Sequence, residues 1–195
     1  MTAQPDREFT HTMHADITRS IPRTRSRARA ESAVSFSKAL WAFPAAVTLH
    51  NVEELVLLPS WSRGAGQWHP AVGPVEFGFA ITLLTVLAWL ATARAARFGR
   101  ESGSLYLTMG YVAAMIGNVF VPHLLATAVT GQYAPGLATG LAINLPVGLY
   151  LIGRALREGQ ITPSRFAVTS PAVVLFLIGL LPPLFAVGRW LAQFV

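Results

Sequence analysis

Five apolar segments, each close to the length that crosses a lipid bilayer, constrain this chain more than any other feature. They are residues 36–59, 75–93, 105–130, 136–153 and 172–195. A membrane-spanning helix needs about 20 mostly apolar residues, and helix is the form that satisfies every backbone polar group of such a segment in lipid. The sequence therefore predicts an all-α fold, a polytopic membrane bundle of about five transmembrane helices.

The composition excludes an ordinary soluble enzyme. Hydrophobic residues make up 53% of the chain and charged residues only 12%, against about 25% charged residues in a typical soluble domain. There is no cysteine, so any metal site must use nitrogen and oxygen ligands. The basic residues lie in the N-terminal region and in short loops, which favours a membrane orientation signal over nucleic-acid binding.

The charge distribution also predicts an orientation. Residues 1–35 contain no apolar run and are predicted to be a disordered basic tail, whereas residues 36–195 form the transmembrane domain. The tail either retains the N-terminus inside or binds anionic lipid. Two loops share its basic character, and their arginines are Arg94, Arg97, Arg100, Arg154, Arg157 and Arg165. The positive-inside rule then predicts a multi-pass protein of the inner (cytoplasmic) membrane with a cytoplasmic N-terminus.

The run His50-Asn51-Val52-Glu53-Glu54 inside the first span is the most informative motif. At about 100° per residue, one imidazole and two carboxylates project within an arc of about 100° on one helix face. Two acids buried in a membrane cost several kcal/mol each unless a cation, a proton or a partner compensates. This face is therefore predicted to be functional.

Polar side chains of other spans are predicted to lie at the same depth. His123 is on the third span, with Asn118 a little deeper, and Glu76 and Asn144 enter from the same side on the second and fourth. Imidazole and carboxylate together suit iron, zinc or manganese. We expect a metal or proton site built by His50, Glu53, Glu54 and His123, with Asn118, Glu76 and Asn144 as additional ligands or orienting groups.

Structural roles are the alternative for each of these residues. A histidine or asparagine inside a bundle is often an interhelical hydrogen-bonding group. Pro122 and Pro146 are predicted to kink their helices without taking part in chemistry. The remaining candidates are assigned to the interface or the tail: His69, Trp61, Trp68, His11 and His14.

Several of these motifs, taken in order, resemble a known family. The His-x-x-Glu-Glu run, Asn118, His123, the turn Tyr133-Ala134-Pro135-Gly136 and Pro146 are similar to the HXXEE-domain family of small bacterial integral membrane proteins. The resemblance covers about residues 36–160. It implies that Tyr133, Pro135 and Gly136 form a structural turn.

The resemblance also implies an activity. Similar proteins occur in antibiotic and other natural-product biosynthesis, and the chain resembles the membrane oxygenase component of valanimycin-type azoxy formation, a non-haem di-iron oxygenase. By this resemblance His50, Glu53, Glu54 and His123 are metal ligands, Glu53 and Glu54 are catalytic, and Asn118 is a ligand or orienting group. The implied reaction is monooxygenation of an amine or hydrazine nitrogen by dioxygen, with an external reductase. Two histidines and two or three acids leave open whether the site holds one iron or two. They also leave open whether zinc or manganese takes the place of iron.

Two classes of function follow. The first is a metal-dependent membrane oxidoreductase that acts on a small hydrophobic substrate from the bilayer. The second is a non-enzymatic carrier or accessory protein, for which a homo-oligomer would supply the symmetry typical of transporters. A metal-free membrane cyclase that uses Glu53 or Glu54 as a general acid is a third hypothesis.

Overall fold

The computed structural model describes residues 34–66 and 70–195, and within them all regular structure is helical. The helices are α1 (Phe36–Ala39), α2 (Ala42–Gly64), α3 (Pro74–Phe98), α4 (Gly103–Thr130), α5 (Leu137–Arg157) and α6 (Pro163–Leu191), which continues as a short 3-10 turn (Ala192–Phe194). The predicted all-α bundle is confirmed. The predicted disorder of the tail, and the roles assigned to His11, His14, Trp68 and His69, concern residues outside the described ranges, since only Val34 and Ser35 of the tail are described.

Four of these helices are long and apolar enough to cross a membrane: α3, α4, α5 and α6. The predicted number of five is close, and the difference lies in α2. This helix has 23 residues, but His50, Asn51, Glu53 and Glu54 in its middle lower its mean hydropathy. The polar site thus accounts for the lower hydropathy of α2. Its side chains are compatible with a helix bundle because they meet partners on other helices, as described below.

Helix boundaries follow local sequence signals. Pro74 opens α3, where its missing N–H is no loss, and Gly99 ends the helix with a φ of 69°. The Ser102 hydroxyl accepts a hydrogen bond from the Leu105 backbone N–H at 3.2 Å and so caps α4. The short loop between α3 and α4 makes these two helices antiparallel neighbours, and α6 packs mainly against the same two helices.

Two helices change geometry near the middle of the bundle. In α4 the chain is kinked at Val121, whose φ of −134° and ψ of 114° are not helical, just before Pro122, and in α5 a π segment runs from Gly140 to Asn144, just before Pro146. Residues 119–124 around the kink pack against the π segment, which also packs against α2. Proline removes a helical hydrogen bond, and both a kink and a π segment re-aim the side chains that follow. The kinks therefore lie beside the polar face of α2 and direct His123 toward it.

A packed apolar core fills the other part of the bundle. Its fully buried side chains are Leu40, Val47, Leu105, Met109, Val112 and Leu151. Glycines allow close helix contact here, because a Cβ at Gly110 would lie 2.6 Å from Cβ of Val173 on α6. Large apolar side chains such as Leu175 and Phe176 are exposed along the spans, as expected where the surrounding solvent is lipid.

Candidate metal centre

Three predicted ligands meet in the interior of the bundle. His50 and Glu54 lie one turn apart on α2, and His123 lies two residues after the kink at Val121 in α4. Each offers one ligand atom, and these atoms lie within 4.8 Å of one another. We call these three residues the ligand group.

The distances within the ligand group are short and the side chains are shielded. Oε1 of Glu54 lies 3.3 Å from Nε2 of His123 and 3.7 Å from Nε2 of His50. Both histidines are buried, and the side chain of Glu54 is 12% exposed. The two imidazole rings meet edge to face, with centroids 5.1 Å apart. Two ring nitrogens and one carboxylate oxygen therefore converge on one point.

The amide of Asn118 bridges the two rings. Its Nδ2 lies 3.2 Å from Nε2 of His50 and 2.9 Å from Nε2 of His123. An amide nitrogen carries two hydrogens and can donate to both rings, which requires a lone pair on each Nε2. The same two lone pairs are what a metal ion would accept, and a half-turn of the amide would bring Oδ1 of Asn118 to the same point.

Glu53 lies in a different environment from its neighbour Glu54. Its Oε1 accepts hydrogen bonds from the Tyr133 hydroxyl and from the Gly136 backbone N–H at 2.8 Å. Its Oε2 accepts from the backbone N–H and the hydroxyl of Thr139, at 2.9 and 2.6 Å. The carboxylate thus caps the first turn of α5, where unpaired N–H groups favour an anion. We call Glu53, Tyr133, Gly136 and Thr139 the clamp.

The clamp and the ligand group are joined through Thr139. Because its hydroxyl donates to Glu53, the hydroxyl oxygen accepts from Nδ1 of His50, 3.0 Å away. This contact places the proton of His50 on Nδ1 and the lone pair on Nε2, in agreement with the contact from Asn118. Hydrogen bonds of this kind orient a ligand histidine and raise its basicity. The sequence analysis did not predict a role for Thr139. The signal that could have indicated it is a threonine three residues after Gly136, at the start of the fourth span.

The predicted turn before α5 brings its backbone against the ligand group. Gly136 has a φ of 90°, and a Cβ there would lie 2.6 Å from Cε1 of His123 and 2.8 Å from Cε1 of His50. Both the backbone conformation and the space therefore require glycine. Partial burial, together with the hydrogen bond to Glu53, raises the pKa of Tyr133 above its ordinary value, so the phenol is a donor at neutral pH.

Two other predicted residues have different surroundings. Glu76 is buried near the start of α3, where its carboxylate accepts hydrogen bonds from the Arg189 guanidinium and, at 3.4 Å, from the Gly73 backbone N–H. It is not among the residues that share the ligand point. Asn144 is buried in the π segment of α5, and its Nδ2 has no hydrogen-bond partner among the described residues.

An apolar cavity borders the ligand group. Its volume is about 670 Å³, and Glu54 and Asn118 form part of its wall. The rest of the wall is mostly apolar and comes from α3, α4 and α6. A small molecule in this cavity would therefore touch the carboxylate of the ligand group.

The donor set fits one metal ion. Two neutral imidazole nitrogens and one carboxylate oxygen form the ligand combination of non-haem Fe(II) sites, and zinc accepts the same donors. Glu53 is occupied by four hydrogen bonds and Glu76 by Arg189, so neither is available as a bridging carboxylate for a second ion in this arrangement. The residues present thus suit a mononuclear centre better than a di-iron one.

Comparison with known proteins places these residues in a family. A family described as "protein of unknown function with HXXEE motif" matches residues 41–151, the part of the chain that contains the ligand group, Asn118 and the clamp. The chain is also 35% identical over 143 residues to a Bacillus subtilis (strain 168) protein named "Uncharacterized protein YrkK", which covers 73% of this chain and 90% of the relative. No solved structure matches the chain. The resemblance to the HXXEE family is confirmed, and the chain belongs to this family of proteins with the HXXEE motif.

Proposed function

We propose that the chain is an integral membrane oxidoreductase whose single metal ion is bound by His50, Glu54 and His123. The observation that carries the proposal is the convergence of two ring nitrogens and one carboxylate oxygen within 4.8 Å, in the interior of a bundle whose helices are surrounded by lipid. The adjoining apolar cavity gives a substrate access to that point. Iron is the metal we propose, because this donor set is typical of non-haem iron oxygenases.

The residues of the chain would have separate roles in such a reaction. Iron, when bound, would supply the dioxygen and one-electron chemistry that side chains cannot perform. His50, Glu54 and His123 would hold the ion, and Thr139 would orient His50 through Nδ1. Asn118 would turn its Oδ1 toward the ion, and the apolar wall would exclude water from the reacting atoms. In a monooxygenation one atom of dioxygen enters the substrate and the other leaves as water, with two electrons and two protons from an external reductase and solvent. Oxygenation of an amine or hydrazine nitrogen is the member of this class to test first.

Metal content tests the proposal directly. Elemental mass spectrometry of detergent-purified protein should give one iron per chain for the wild type and none for Glu54→Gln or His50→Ala. Glu76→Gln is the matched control, because it makes the same change at a buried acid outside the ligand group and should keep the metal. Absence of bound metal after anaerobic reconstitution with iron, manganese or zinc would contradict the proposal, and Glu54 would become a candidate for metal-free proton transfer.

We further propose that the chain lies in the inner membrane with its N-terminus in the cytoplasm. Arg154 on α5 donates a hydrogen bond to the Val34 carbonyl at 2.6 Å, so the start of the described chain lies at the same end as an arginine-rich loop. The positive-inside rule assigns that end to the cytoplasm. The chain lacks cysteine, so Ser60→Cys and Ser164→Cys can each be probed alone with an impermeant maleimide. Labelling of Ser60→Cys alone in intact cells is expected. Labelling of Ser164→Cys alone would reverse the proposed orientation, and labelling of both would contradict the three crossings, by α3, α4 and α5, that separate the two residues.

A further inference from the structure

The cavity beside the ligand group has the size of a small-molecule site and two chemically different parts. Its volume of about 670 Å³ lies within the range of about 300–1,000 Å³ typical of such sites. Ile81, Met115 and Leu177 contribute to its apolar wall, whereas Asn51 and Glu54 lie on its α2 side. The cavity therefore suits a molecule with an apolar body and one polar end.

The cavity opens sideways, toward the acyl chains of the bilayer. Val121 of α4 and Ile178 of α6 line it and are 63% and 58% exposed. Both belong to helices that are long and apolar enough to cross the membrane, and neither lies near a helix end. Exposed apolar side chains at this position face lipid, so a ligand can enter from the bilayer without passing through water.

Asn51 gives the polar end a defined hydrogen-bonding character. Its Nδ2 donates to Oγ1 of Thr85 at 2.6 Å and to the Ile81 carbonyl at 3.4 Å. Thr85 uses its own hydrogen for the same carbonyl, at 2.7 Å, so its oxygen accepts from Asn51. This arrangement fixes the amide, with its nitrogen toward α3 and its oxygen without a hydrogen-bond partner among the described residues. Glu54, three residues further on the same helix face, adds a second acceptor.

The depth of these acceptors distinguishes between two kinds of occupant. Asn51 and Glu54 lie in the middle of α2, away from both helix ends. A phospholipid that keeps its headgroup at the membrane surface would bring only the end of an acyl chain to this depth, and that end donates no hydrogen bond. A molecule that matches the site carries its hydrogen-bond donor at the buried end.

We propose that the cavity binds the substrate and that the substrate is a single-chain amphiphile. Its apolar body lies between α3, α4 and α6, and a terminal hydroxyl, amine or amide N–H donates to Oδ1 of Asn51, next to Glu54. Asn51 is then a specificity-determining residue. This inference rests on the proposed function, because it makes the cavity the substrate site of the metal centre.

Photolabelling tests the site without depending on metal or activity. The probe is 1-octanol with a diazirine at carbon 3, irradiated with the full-length protein in detergent micelles and mapped by peptide mass spectrometry. Labels should concentrate on the cavity-lining residues of α3, α4 and α6. Unlabelled 1-octanol should compete about tenfold better than 1-methoxyheptane at equal micellar mole fraction, because this isomeric ether cannot donate the hydrogen bond.

A matched pair of glycine substitutions tests the position of the site. Gly117 lines the cavity and Gly179 does not, and a Cβ at either residue would meet no atom within 4 Å. Gly117→Phe should fill the cavity and remove most of the specific labelling, whereas Gly179→Phe should leave it unchanged. Asn51→Leu should retain labelling but lose the preference for the alcohol over the ether.

Three results would overturn the inference. They are labels spread evenly over lipid-facing residues, equal competition by the alcohol and the ether in the wild type, and stronger competition by a phospholipid than by octanol. The labelling is carried out on metal-loaded and on chelator-treated protein. The proposed function and this inference can then fail separately. Specific labelling of a protein that binds no metal would contradict the oxidoreductase alone, and metal binding without specific labelling would contradict this inference alone.

Discussion

Glu53 and Glu54 are adjacent in the chain, yet they belong to regions with opposite properties. The clamp around Glu53 supplies four hydrogen-bond donor contacts to one carboxylate. The ligand group around Glu54 gathers acceptors, namely two ring lone pairs and a carboxylate, on one point. A region rich in donors stabilises an anion and needs no cation, whereas a region rich in acceptors favours a cation or a proton. The contrast separates residues that orient the centre from those that would bind the metal.

Gly136→Ala is expected to have the largest effect, because Gly136 belongs to the clamp and touches both histidines. The new Cβ would lie within 3 Å of both imidazole rings, in addition to the cost of about 1–2 kcal/mol for a left-handed backbone. We expect lower thermal stability in detergent and loss of metal. Gly131→Ala is the control, since Gly131 has a φ of 65° and a Cβ there would meet no atom within 4 Å. Equal destabilisation by the two substitutions would show that the contact with the histidines costs nothing.

Glu53→Gln and Glu54→Gln test the division between the two regions. Glu54→Gln should abolish metal binding, because it removes a ligand. Glu53→Gln should weaken metal affinity by about 10–100-fold, the effect typical of a group that orients a ligand. Competition with a chromophoric chelator measures both affinities. Equal loss in the two variants would assign Glu53 to the metal as well and would end the comparison.

Thr139→Val tests the connection between the regions. It removes the hydroxyl that links Glu53 to Nδ1 of His50 while keeping nearly the same volume. Metal affinity should fall about tenfold, and Thr139→Ser should restore it because serine keeps the hydroxyl. The same chelator assay gives the result, and a valine variant with wild-type affinity would mean that the Thr139 contact does not hold His50.

Tyr133→Phe should have the smallest effect, because it removes one of four hydrogen bonds to Glu53. We expect a loss of about 0.5–1.5 kcal/mol in stability with metal content unchanged. The raised pKa of Tyr133 in the folded protein means that its contribution is complete below its unfolded pKa of about 10 and is lost as pH rises through the folded value. Thermal unfolding at neutral and high pH should therefore show a smaller alkaline loss for Tyr133→Phe than for the wild type. An unchanged alkaline loss would assign it to other groups.

The sequence was sufficient to predict the helical membrane bundle and most of the residues that meet at its centre. Apolar length predicts α3 to α6, and the spacing of His50 and Glu54 by one turn places both on one face. Periodicity could not decide between Glu53 and Glu54, since each lies within about 60° of His50 on a regular helix. The choice depends on the turn before α5, whose N–H groups reach Glu53 from another part of the chain.

Partners distant in sequence explain the other differences. Glu76 has the depth expected of a ligand, but its carboxylate forms an ion pair with Arg189, 113 residues later in the chain. The position of His123 depends on the kink at Val121 before Pro122, which shifts side chains away from the regular helical spacing. Thr139 gains its role only when α2 and α5 are packed together. Each case needs a tertiary contact that no local pattern contains.

The lateral opening between Val121 and Ile178 has a consequence for any kinetic study of this protein. For a ligand that enters from lipid, the occupancy of the binding site depends on the mole fraction of the ligand in the bilayer. Its molarity in the buffer does not measure that mole fraction. An apparent KM expressed per volume of buffer would change with the amount of lipid or detergent even if the protein did not. Surface dilution, in which total lipid is varied at constant substrate, is accordingly the assay that suits the proposed oxidoreductase activity.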